Sequence, residues 1–80
     1  MTVSVQPHPR EQDPFFQAVI RPIIDRRMEL GLTQVDLDNL VGYADGLTAK
    51  YEVVNRRPSG FHLWCICEAL HMTIQLVPEA

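Results

Sequence analysis

Helix-ending and helix-starting residues follow one another so closely in the middle of this chain that it can form only short helices joined by tight turns. Gly31 stops one helix and Thr33 caps the next, and Gly42 stops that one. The polar run Asn55, Arg56, Arg57, Pro58 closes a third, and Ser59 caps a fourth. Upstream, Asp13 and Pro14 make a cap and first-turn pair, after which Phe15, Phe16, Val19, Ile20, Ile23, Arg27 and Leu30 recur at helical steps. Pro22 lies inside that pattern, removes an amide donor and clashes one turn back, so a kink or break near residues 20–22 is expected.

The second helix, about nine residues long, turns Leu37, Leu40 and Val41 inward, and the third begins near Ala44 and runs through Glu52. In the fourth, Leu63, Ile66, Cys67 and Leu70 form the inward stripe with Trp64 on its flank. From Met72 to Val77 apolar and polar residues alternate, the pattern of a strand. The expected organisation is a flexible arm over 1–13, a helical domain over 14–71 and a strand with its tail over 72–80.

With 80 residues, 46% of them apolar, there is material for one small core and one domain. Such a core supplies only about 3 to 5 kcal/mol, which favours association into an oligomer. Seven basic against ten acidic residues leave a net charge of -3, so any nucleic-acid site must be a local patch. That patch is Lys50, Arg56 and Arg57, opposed only by Glu52. The chain has no apolar run near the roughly 20 residues that cross a bilayer, and its first residues lack a charged stretch followed by an apolar one. A soluble cytoplasmic protein without a membrane partner is expected.

Cys65 and Cys67 are two positions apart on a helix and point in different directions, which argues against a mutual disulfide. His62, Cys65, Cys67 and His71 invite a zinc reading, but Cys67 belongs to the core stripe and the spacing matches no closed site, so neither metal nor cofactor is expected. Neither a Ser, His and Asp set nor a paired-carboxylate cleft nor a phosphate-cradling glycine loop is apparent, so the chain is not expected to be an enzyme.

Two short helices about a tight turn at Gly42 make a helix-turn-helix arrangement. Gly31-Leu32-Thr33-Gln34, Leu37, Gly42, Tyr51-Glu52, Arg56, Pro58-Ser59, Leu63, Ile66, Ala69 and Leu70 together closely resemble the Cro and phage-repressor family, also called the xenobiotic-response-element family. The resemblance covers residues 19–72. It implies an all-α, lambda-repressor-like bundle of four to five short helices. The ending LHMTIQLVPEA is similar to HipB-type antitoxins and regulators, in which strands of two subunits pair. A lone strand of this length leaves its backbone groups unsatisfied, and a symmetric partner supplies what is missing.

The resemblance implies a DNA-binding transcriptional regulator, a dimeric repressor on a palindromic operator. The alternative is an antitoxin or interaction module that sequesters a toxin or other protein partner and autoregulates its promoter. On the double-stranded DNA reading, Thr33 and Gln34 open the second helix near phosphate, a contact of Gln34 with the DNA backbone or an outer base being favoured over its alternative as a capping partner for Thr33. Asp45, Gly46, Leu47, Ala49 and Lys50 present the third helix, where Leu47 suits a thymine methyl and Lys50 a guanine edge or phosphate. Arg56 and Arg57 suit phosphate. Arg10 could add a contact from the arm, although a disordered tail is the plainer reading.

Arg27 and Glu52 align with positions that form a structural salt bridge in the family. Two residues depart from its pattern: Asp38 replaces a small apolar residue, and Thr48 a buried branched one. A carboxylate facing a threonine hydroxyl gains a donor that a valine could not give, so an Asp38 to Thr48 hydrogen bond is expected, extended by amides at the start of the third helix. Gly46 inside that helix would cost roughly 1 kcal/mol relative to Ala. Trp64, Met72, Ile74 and Leu76 are expected at the dimer interface.

Overall fold

The computed structural model describes residues 9–79, which fold as an all-α unit. A single turn, α1 (Pro9–Gln12), is followed after Asp13 by a helix that starts at Pro14, passes through a π-helical turn (Phe16–Ile20) and continues directly as α2 (Arg21–Glu29). Then come α3 (Gln34–Val41), α4 (Leu47–Glu52) and α5 (Gly60–Ala69).

Each boundary has a local cause. Asp13 Oδ1 accepts the Phe15 N–H at 2.9 Å, capping the helix as expected from its sequence. Pro22 has no N–H to offer Ala18, and in an α-helix its ring would strike that carbonyl. The chain widens instead of breaking: the Arg21 N–H reaches back five residues to the Phe16 carbonyl, and the proline sits in the first turn of α2. Thr33 and Asp36 form a reciprocal capping box at α3, with side chain to backbone distances of 3.0 and 2.8 Å. Gly42, at φ +84°, ends α3 and lets two consecutive amides, its own and that of Tyr43, donate to the Asp38 carbonyl.

The start of α4 differs from expectation. The helix begins at Leu47, and Gly46 stands before it with φ +90°, a left-handed conformation incompatible with a helix interior. The glycine therefore carries no mid-helix penalty; it is the hinge between turn and helix. At the other end of α4 the left-handed residue is Val54, φ +58°, and after α5 it is His71, φ +57°. Both close their helices in the manner usually left to glycine, with Asn55 donating to the Lys50 carbonyl and Met72 to that of Cys67.

Ile23, Leu37, Tyr51, Ile66 and Leu70 form the main core, so every helix from α2 to α5 contributes or directly abuts it. Phe16, Ile20 and Ile24 make a second cluster against Phe15 and Val54. The arm expected over 1–13 is corrected in part. Residues 1–8 lie outside the described residues, but Arg10 donates to the Glu52 carbonyl at 3.0 Å, Arg21 pairs with Glu11 at 3.2 Å, and Arg57 reaches Asp13 at 2.6 Å. Arg10 and Arg21 also flank the Phe16 ring, which fastens this stretch to the body.

No strand occurs among the described residues, and residues 73–79 have no regular secondary structure. The alternation of Met72–Val77 is thus not a strand within one chain. A strand exists through its ladder, and no second extended segment among the described residues provides one. Met72 packs on the main core, whereas Leu76 and Val77 are 92% and 76% exposed. No helix among the described residues is long and apolar enough to cross a membrane.

Candidate nucleic-acid interface

Asp38 is completely buried in α3, and its carboxylate is the acceptor around which α4 is hung. Thr48 Oγ1 donates to Oδ1 at 2.6 Å, the Thr48 amide donates to the same oxygen at 2.8 Å, and the Gly46 amide donates to Oδ2 at 2.9 Å. Asp38 and Thr48, expected to pair, therefore meet, together with the amides at the start of the following helix. Burial by itself would raise the carboxyl pKa; the three donors outweigh it and hold Asp38 below the usual carboxylate value. A charged acceptor accordingly fixes how the first turn of α4 is presented.

A second polar group ties the other end of α4 to α2. Arg27 Nε and Nη2 contact Glu52 Oε2 and Oε1 at 2.7 and 3.1 Å, and its Nη1 donates to the Leu32 carbonyl at 2.6 Å. Glu52 is 5% exposed and takes a further hydrogen bond from Gln34 Nε2 at 2.8 Å. Neither sequence assignment for Gln34 anticipated this. In the free chain its amide donates inward across α3 and α4, while Thr33 is partnered by Asp36. The signal was present in the spacing, since Gln34 opens α3 and Glu52 ends α4.

Exposed cationic groups lie beside this frame. Lys50 on α4 and Arg56 in the following turn are exposed. Arg57 is also exposed but is bound to Asp13 and stacks over the Phe15 ring at 5.0 Å, so a phosphate would have to compete with an internal carboxylate. Asp45 is exposed before α4. Leu47, expected to point outward, instead is the first residue of α4 and packs, half-buried, against the main core. Ala49 is half-buried, and Thr48, Tyr51 and Glu52 are buried. The accessible part of α4 is consequently narrow and centred on Lys50.

Trp64 does not share a surface with the tail. It lines a hollow with Leu40 and Phe61, whereas Ile74 and Leu76 line a groove of about 330 Å³ with Val19, Pro22, Leu63 and Cys67. The expected interface set is therefore split between two flanks of α5. Among the described residues no group of His, Cys, Asp and Glu could hold a metal. His62 is instead held by tyrosines: Tyr51 Oη lies 3.0 Å from its Nδ1, and Tyr43 Oη donates to its carbonyl at 3.0 Å. Burial, reinforced by Tyr51 and Cys65, pushes Tyr43 up to about 12, and burial raises the Cys67 thiol as well.

Comparison of the chain with protein-family models, with curated proteins and with solved structures finds no match.

Proposed function

We propose that this chain is a sequence-specific DNA-binding transcriptional regulator in which α3 and α4 act as a helix-turn-helix, and that it represses as a homodimer on a palindromic operator. The observation that carries the reading is the Asp38 clamp. A six-residue helix such as α4 has little stability of its own, yet its first turn is fixed to α3 by three hydrogen bonds to one buried charge. Its end is fixed to α2 through Glu52. A rigidly presented short helix bearing an exposed lysine, with Arg56 beyond it, suits a major-groove contact flanked by phosphate.

With a net charge of -3, non-specific binding is weak and tight binding requires two subunits. Duplexes selected from a random pool provide the target for the test. Lys50→Ala and Arg56→Ala each weaken binding to the selected site, and Arg56→Ala also reduces the salt slope by about one. Unchanged affinity in both variants removes α4 from the interface. The competing reading, a module that sequesters a partner protein, is favoured by one observation: Leu40 on α3 and Phe61 and Trp64 on α5 form an exposed apolar surface that does not include Lys50.

A further inference from the structure

The α3–α5 flank carries three large apolar side chains that the fold leaves uncovered, Leu40 at 59%, Phe61 at 72% and Trp64 at 52% exposure. They are not scattered. Leu40 is shared by two adjoining hollows of about 480 and 450 Å³, one floored by Phe61 and Trp64, the other reaching Asp36 and Asn39. The only charged residues lining either hollow are acidic, Glu68 in the first and Asp36 in the second. An apolar strip whose only charged lining residues are acids is a surface of defined chemistry.

We infer that this strip is the docking groove for an amphipathic helix of a second protein, whose apolar face is flanked by lysine or arginine. A second copy of this chain is a poor occupant, because any two-fold contact over the strip sets acid against acid, Glu68 and Asp36 of one copy against the same two acids of the other. The tail, with Leu76 and Val77 exposed on the other flank of α5, is a separate surface and remains available for self-association. A helix of about eight to ten residues matches the length over which α3 and α5 run. The inference does not depend on DNA binding.

Trp64 is the chain's only tryptophan and lies in the groove, so it reports occupancy directly. Two synthetic helical peptides serve as probes, with the same leucine stripe at i, i+3, i+4 and i+7 but flanked in one by lysine and in the other by glutamate. The full chain is titrated with each while Trp64 emission is followed. The lysine-flanked peptide shifts emission to shorter wavelength and saturates, and the glutamate-flanked one does not. Glu68→Lys weakens the first peptide by at least about threefold, and Phe61→Ala weakens it further, with the folded far-ultraviolet spectrum retained in both. Titration of the same variants with the selected duplex reports separately on the DNA reading. Equal response to the two peptides, no response to either, or burial of Trp64 that grows with protein concentration alone overturns the inference; the last assigns the strip to a second copy.

Discussion

Asp38 keeps its charge where no water reaches it, and the reason is the number of donors rather than their individual strength. Loss of the Thr48 hydroxyl leaves two amides on the carboxylate, while loss of the carboxylate leaves three donors without an acceptor. Thr48→Val should therefore destabilise by about 1 to 3 kcal/mol and Asp38→Ala by more, with the double variant no worse than Asp38→Ala alone. Urea unfolding of the four proteins checks this; strictly additive losses would show that the two side chains act independently. The same group sets an acid limit. Asp38 and Asp36 both have folded pKa values below the ordinary 3.8, so the stability they confer is present above that value and is lost as pH falls through their folded values. The melting temperature should be level near neutrality and drop below about pH 4. Asp38→Asn should start lower and fall less steeply, part of the slope remaining with Asp36.

At the scale of the elements, helix ends decide most of what was and was not legible in the sequence. Thr33, Ser59, Gly42 and Asp13 mark their boundaries because each side chain or backbone has one favoured use there. The Asp38 and Thr48 pair was legible for a related reason: a carboxylate and a hydroxyl at facing positions explain one another. Gly46 was misread because a glycine among helix formers resembles a weak helical residue, when its φ of +90° makes it the last residue of the turn. Val54 gave no signal, since a β-branched residue is an outlier in the left-handed region, and His71 gave only a weak one, since histidine visits that region more often than most residues yet far less readily than glycine. This yields opposite expectations at two sites. His71 is exposed and strained, so His71→Gly should stabilise by about 1 kcal/mol. Gly46→Ala should destabilise by a similar amount, about 1 kcal/mol, although an added Cβ would meet nothing within 4 Å, because conformation and not space is limiting. Thermal or urea denaturation measures both, and a neutral Gly46→Ala would mean that α4 can begin earlier.

For the molecule as a whole, its parts are joined by arginines across long stretches of sequence: Arg10 to the end of α4, Arg57 back to Asp13, and Arg26 to the Leu70 carbonyl at 2.9 Å. Pairings of this kind were not legible, since an arginine in a turn reads equally as a solvated or a phosphate-facing side chain until its neighbours in space are known. The tail is the reverse case, a clear alternation that finds no partner strand among the described residues. If it pairs between subunits, removal of residues 73–80, which spares Met72 in the core, should convert a dimer to a monomer in sedimentation at micromolar concentration. A truncated chain that stays dimeric would move the contact elsewhere.

The π-helical turn at Phe16–Ile20 holds one residue more than the α-helical turn it replaces. The described residues before it are thereby rotated by about 100° relative to an unbroken helix, and it is in this rotated setting that Asp13 meets Arg57 and α1 lies beside Glu52. The docking of the N-terminal turn is thus written in chain length rather than in side-chain identity. A variant lacking Ala18 would swing α1 off the body while keeping Arg10, Asp13, Phe16, Glu52 and Arg57, a change that no comparison of aligned substitutions would reveal.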